Sequence, residues 1–199
     1  MESLRWVLAS QSPRRRALMR LFGKPFEVHP AQIEEPLPAF TARPALLGKR
    51  LARAKAEAVA PCYSDALIIA ADTLVVVEGR VLGKPADERE AFEMLRLLAG
   101  RTHTVITALC LLLRHNGRTT QVVLDAPRSR VTFRPLGDEW IRWYIATGEP
   151  FDKAGAYGIQ EYGALLIEKV QGCYFNVVGL PVATLARRLE ELGIWKPNQ

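Results

Sequence analysis

Three consecutive arginines, Arg14, Arg15 and Arg16, follow Ser12-Pro13 and lead into an apolar helical pattern of Ala17, Leu18, Leu21 and Phe22, closed by Gly23. Ser12 is a good N-cap and Pro13 a good first helical residue, so the triplet falls in the first turn. Cations there oppose the helix dipole at a cost of about 0.3–1 kcal/mol each. A bound anion reverses the sign, because free N–H groups, dipole and guanidinium groups all attract it. The plainer alternative is a solvated basic turn paired with Glu27 or Glu34.

Asp72 directly follows the apolar run Leu67–Ala71 and is expected at the end of a central strand. Strand ends are where open α/β sheets hold ligands. A carboxylate there can ligate a divalent cation or take a proton from water, and a turn-capping aspartate beside Thr73 is the plain alternative. Lys84, between Gly83 and Pro85, is a point charge on restrained backbone that can bind phosphate, although on its own it reads first as an ordinary turn lysine. Glu34 and Glu35 are paired acids in a loop, and Lys55 and Arg53 lie on one long helix. Gln160, after Tyr157-Gly158-Ile159, carries an amide suited to the edge of a nucleobase.

The elements that must position these residues alternate. Strands are expected at 4–9, 26–29, 67–71, 74–77, 80–82, 102–114, 119–124, 129–133 and 165–169. Helices are expected at 13–22, 45–59, 87–98, 138–146 and 182–192. Glu78-Gly79 and Asn116-Gly117 read as hairpin turns. Residues 30–44 and Asn176–Pro181 read as loops. Residues 152–163, with Gly155, Gly158 and Gly163, read as a loop where backbone approaches something closely. Hairpins among helices imply a mixed sheet, and the absence of a linker implies one domain over 1–199.

The 199 residues are 49% hydrophobic, enough for a sizeable core, and the formal net charge of +6 suits an anionic partner. Cys62, Cys110 and Cys173 form no CxxC pair, and His29, His103 and His115 are equally scattered, so a metal site should use carboxylates. The longest apolar run, Val105–Leu113, is far short of a membrane span, and no targeting segment is visible, so the expected location is the cytoplasm. Walker, Rossmann, nucleophile-elbow and HExxH motifs are all absent. A nucleic-acid-binding module is the rival class. Scattered basic residues with no interleaved exposed aromatics argue against it.

Taken in order, Leu8-Ala9-Ser10-Gln11-Ser12-Pro13-Arg14-Arg15-Arg16, Ile33-Glu34-Glu35, Arg50-Leu51-Ala52 with Lys55-Ala56, and Ala71-Asp72-Thr73 resemble the Maf family. Leu82-Gly83-Lys84-Pro85, Gly100-Arg101 with His103, Asp152-Lys153-Ala154-Gly155-Ala156-Tyr157-Gly158-Ile159-Gln160 and Asn176-Val177-Val178-Gly179-Leu180-Pro181 continue the resemblance nearly end to end. It implies an α/β fold: an elongated mixed sheet with flanking helices, in two lobes around a central cleft, related to the inosine triphosphate pyrophosphatases. It also implies a homodimer and a nucleoside triphosphate pyrophosphatase that uses a divalent cation such as magnesium, manganese or cobalt.

By that resemblance Asp72 is the proton acceptor or a metal ligand, the former being favoured, and Glu35 a metal or water ligand. Lys55 and Lys84 face phosphate, with Lys84 counted among the catalytic groups. Ser10, Arg14 and Arg15 make the first phosphate site, and Arg14, Thr73 and Gln160 match positions tied to base choice. Arg16, about 100° further round the helix from Arg15, is the solvated neighbour. The Lys153–Gln160 segment resembles the branch acting on dTTP and UTP, with 7-methyl-GTP or modified nucleotides as alternatives and a link to cell-division arrest as a regulatory one. Glu161 stands where the family usually has glycine. A carboxylate near a polyphosphate is repulsive unless it points away or meets the metal, so Glu161 bears on substrate range rather than reaction type.

Overall fold

The computed structural model describes residues 4–33 and 37–197. Its strands are β1 (Arg5–Leu8), β2 (Glu27–Val28), β3 (Ala66–Val77), β4 (Arg80–Leu82), β5 (Thr102–His115), β6 (Arg118–Asp125), β7 (Arg128–Phe133) and β8 (Ile167–Gln171). The helices are α1 (Pro13–Met19), α2 (Pro44–Val59), α3 (Glu88–Leu98), α4 (Asp138–Ala146), α5 (Tyr174–Val178) and α6 (Val182–Glu191). Among the described residues the strands form one mixed sheet in the order β2-β1-β3-β5-β7-β8, with β4 beside β3 and β6 beside β5.

The spine is the antiparallel pair β3 and β5, matched from Ala66↔Arg114 to Val76↔Thr104. Both are long runs of β-branched and aliphatic residues buried on two faces, as interior strands require. Each is flanked by one partner along its first half and another along its second. β1 runs parallel to β3 only from Arg5↔Ala66 to Leu8↔Ile69, and β4 pairs only at Val75–Val77. On the far side, β7 pairs with β5 over Thr102–Ile106 and β6 over Leu109–His115. Two lobes therefore share one spine, with a notch in each edge where the flanking strands change over.

Helices fill three faces. α1 and α6 place Met19, Leu185 and Leu189 against Leu67, Ile69 and Leu109. α2 covers the opposite face of the same lobe through Ala52, Ala56 and Val59. α3 and α4 bury Leu95, Leu98, Ile141 and Tyr144 with Val105, Val131 and Phe133 in the second lobe. The close approach of α2 needs its small residues, because a Cβ on Gly48 would sit 3.1 Å from Ala108 Cβ.

Three sequence expectations change. Asp72 does not end a strand. β3 continues through it to Val77, because a run buried on both faces gives no mark of where its neighbours stop. Asn176 lies in a helix of five residues, α5, capped by Gly179 at φ 119°, too short to show a helical period. Exposed aromatics do occur beside a basic residue. Trp140, Trp143 and Tyr162 meet edge-on at the surface, and the Arg134 guanidinium lies 4.0 Å from the Trp140 ring. The two hairpin turns are present, with Glu78, Gly79, Asn116 and Gly117 all at positive φ.

Candidate active site

The notch in the β3 edge opens into a cleft of about 920 Å³ lined from both lobes. Between Ile69 and Val75 neither β1 nor β4 pairs with β3. Because successive side chains point to opposite faces, Asp72 and Thr73 leave this bare edge in opposite directions. Asp72 shares its face with Ala70, toward α2, and Thr73 shares its face with Ala71 and Val75, toward α1.

On the α2 face, Lys55 Nζ lies 2.5 Å from Asp72 Oδ1, with side chains 18% and 10% exposed. On the α1 face, Ser12 caps the helix by accepting from the Arg15 N–H at 3.4 Å. Ser10 Oγ accepts from the Ser12 N–H and from Arg15 Nη1, both at 3.2 Å. Arg15 also donates from Nε to the Gly179 carbonyl at 2.7 Å and from Nη2 to Thr73 Oγ1 at 3.0 Å. All three nitrogens of its guanidinium are thus held by the protein's own groups at the cleft wall.

Arg14 reaches across the cleft and donates to Asp152 Oδ2 at 3.1 Å, whereas Glu27 pairs with Arg5. Lys153 Nζ holds the other Asp152 oxygen and the Glu149 carbonyl, each at 2.6 Å. Burial alone would raise the Asp152 pKa. The Lys153 hydrogen bond and the Arg14 charge outweigh it and hold the carboxyl below its usual value. Asp152 and Lys153 belong to the segment that carries the resemblance but have no role assigned from the sequence, although opposite charges side by side at a glycine-rich loop are a signal for one.

Lys84 and Gln160 are exposed on the cleft wall, brought there by β4 and by the loop after it in space. Gly155 makes that approach possible: at φ 71° its N–H donates to the Gly83 carbonyl at 2.9 Å, and a Cβ would meet Val75 at 2.9 Å. The close approach expected from the glycines is therefore to the protein's own sheet. Beneath it, His103 Nε2 and Tyr157 Oη are 2.6 Å apart. Burial pushes the His103 pKa down to about 4. Arg16 is exposed and outside the lining, as is Glu161, whose φ of 53° is a conformation glycine would hold without strain.

Glu34 and Glu35 lie outside the described residues. Among the described residues five cationic side chains and two carboxylates line the cleft, and no three His, Cys, Asp or Glu side chains cluster as a metal cage. Magnesium does not need one: it commonly takes one or two carboxylates and completes its shell with phosphate oxygens and water. Asp72, buried in the lining of a cationic cleft, fits that pattern.

A family model described as Maf-like protein matches residues 5–192. A dTTP/UTP pyrophosphatase of Carboxydothermus hydrogenoformans is 50% identical over 186 residues, covering 94% of this chain and 97% of that protein. A second, of Moorella thermoacetica, is 50% identical over 188 residues, covering 94% and 95%. The Ham1 protein of Staphylococcus aureus, a solved structure, aligns over 82% of this chain and 79% of its own with 14% identity and a TM-score of 0.48.

Proposed function

Because the chain belongs to the Maf family, we propose that its cleft hydrolyses nucleoside triphosphates, dTTP and UTP foremost, between the α and β phosphates. The products are the nucleoside monophosphate and pyrophosphate. One observation carries the reading: the bare edge of β3 sends Asp72 with Lys55 to one side and the Ser10–Thr73–Arg15 constellation to the other. A triphosphate crossing that edge meets an anion site and a carboxylate at once.

The substrate carries about four negative charges, so catalysis rests on neutralising them and aligning a water. Arg15, held in place by Ser10, Thr73 and the Gly179 carbonyl, is placed to take phosphate oxygens. Lys84 and Lys153 add charge from the opposite wall. Arg14 meets the nucleotide from the α1 side while tied to Asp152. Gln160 and the apolar Val75, Val105 and Tyr157 offer the base an amide and a flat wall. Asp72 Oδ2, the oxygen not held by Lys55, is the acceptor for the water's proton, and Lys55 keeps that carboxylate in place. A divalent cation, when bound by Asp72 and Glu35, would neutralise phosphate charge and make the water more acidic. The dimer is part of the proposal on resemblance alone, and sedimentation velocity measures it.

Pyrophosphate release across pyrimidine, purine and 7-methyl-guanosine triphosphates, with magnesium, manganese and cobalt in turn, tests the reading. The expected order puts dTTP and UTP first, and a purine preference rejects it. Asp72→Asn should lower kcat by roughly 10²–10⁴-fold, the usual range for a lost general base, in a protein that still folds but is less stable for the loss of the Lys55 ion pair. Unimpaired turnover in a folded Asp72→Asn protein would remove Asp72 from the chemistry.

A further inference from the structure

We propose that Thr107 and Asn176, both fully buried and neither lining the cleft, are positioning residues that hold Arg15 in its anion-binding pose. This rests on the triphosphate reading of the cleft. The notch in the far edge of β5 leaves Thr107 without a strand partner on that side, between β7 and β6. Asn176 fills it. Its Oδ1 accepts from the Thr107 N–H at 3.1 Å, and its Nδ2 donates to the Val105 carbonyl at 3.1 Å and to Ser129 Oγ at 3.0 Å.

The hydroxyl hydrogens then have one consistent order. Thr107 Oγ1 lies 2.6 Å from the Asn176 carbonyl, which can only accept, so the single Thr107 hydrogen goes there. Thr73 Oγ1, 2.9 Å from Thr107 Oγ1, must therefore be the donor of that bond. Its own hydrogen committed, Thr73 faces the α1 side with lone pairs alone, the state that Arg15 Nη2 requires. The chain runs in one direction, from Arg15 through Thr73 and Thr107 to the Asn176 carbonyl. Asn176 also anchors α5, and the residue that ends α5 is Gly179, whose carbonyl takes Arg15 Nε. Two of the groups that orient Arg15 thus trace back to one buried asparagine on the opposite edge of the sheet.

The test compares Thr107→Val, which keeps the shape and removes the hydroxyl, with Thr107→Ser, which restores it. Pyrophosphate binding is read by calorimetry without turnover, and KM and kcat are read for UTP with magnesium. In Thr107→Val the pyrophosphate Kd and the KM should rise together by about five- to tenfold, the worth of one buried hydrogen bond. Since Asp72 and Lys55 lie on the other face, kcat should stay within about twofold, and Thr107→Ser should match the wild type. Should Thr107→Val not fold, Thr107→Ala carries the same expectation. Unchanged Kd and KM in the hydroxyl-free variant, an equal defect in Thr107→Ser, or a loss confined to kcat would each overturn the positioning role and leave the pyrophosphatase reading standing. Wild-type protein that neither binds pyrophosphate nor cleaves any triphosphate would overturn both.

Discussion

Lys55 and Asp72 each hold the other's charge in a place largely out of water, so removing one partner is a different experiment from removing both. Lys55→Met leaves the Asp72 carboxylate without its nearest cation. Breaking a buried pair in this way costs about 3–5 kcal/mol, whereas neutralising both partners can cost little. Lys55→Met should therefore lower stability in urea by about 3 kcal/mol and activity by at least about 100-fold. The double variant Lys55→Met/Asp72→Asn should recover part of the stability and none of the activity. A double variant no more stable than Lys55→Met would show that the pair does not couple. Both residues were legible in the sequence as types, Asp72 from the apolar run before it and Lys55 from its place on a helix. Their pairing was not, because it depends on how deeply α2 settles on β3, which Gly48 and its alanines decide. The pairing of Asp152 with Arg14 was illegible for a similar reason: the two are 138 positions apart.

At the scale of elements, β5 carries a titratable group from the cleft wall into the core. His103 is 2% exposed, bonded through Nε2 to Tyr157, and its Nδ1 has no hydrogen-bond partner among the described residues. Burial opposes its charge and lowers its pKa from 6.5 to about 4. The sign follows directly. Between those two values the unfolded chain binds the proton and the folded chain does not, so stability falls as pH drops from about 6.5 toward about 4. The slope from this group is at most about 1.4 kcal/mol per pH unit, or about 3 kcal/mol over the whole window. Urea unfolding of the wild type and His103→Phe at intervals from pH 7 to pH 4 should show the wild type losing stability more steeply. Parallel curves would mean that His103 is protonated in the fold. Element boundaries were mostly legible, since turns such as Asn116-Gly117 and the Ser12 cap announce themselves locally. The sheet order was not, because no local signal says where β1 hands over to β4 along β3.

The whole molecule behaves as two lobes only with respect to its cleft, since β3 and β5 each run through both and contribute to all three core clusters. Sequence resemblance pointed to the lobes and their cleft, but their continuity comes from register: the ladder between β3 and β5 is unbroken across the notches. Melting one lobe would strip side chains from the strands that the other lobe packs on. Unfolding should therefore be a single cooperative transition, with calorimetric and van't Hoff enthalpies equal. The tryptophans report on the two ends separately. Trp6 and Trp195 pack on Phe22 in the first lobe, and Trp140 and Trp143 lie on α4 in the second. Proteins retaining only one pair, the other replaced by phenylalanine, should give superimposable fluorescence transitions. A cavity made in either core, Leu109→Ala in the first lobe or Phe133→Ala in the second, removes a fully buried side chain. Either should cost about 3–5 kcal/mol, roughly 6–20 °C in melting temperature for a chain of this size. The shift should appear equally in both tryptophan reporters. If Phe133→Ala moved the Trp140/Trp143 transition and left the Trp6/Trp195 transition in place, the lobes would be separate folding units, and the shared strands would not be what couples the two walls of the cleft.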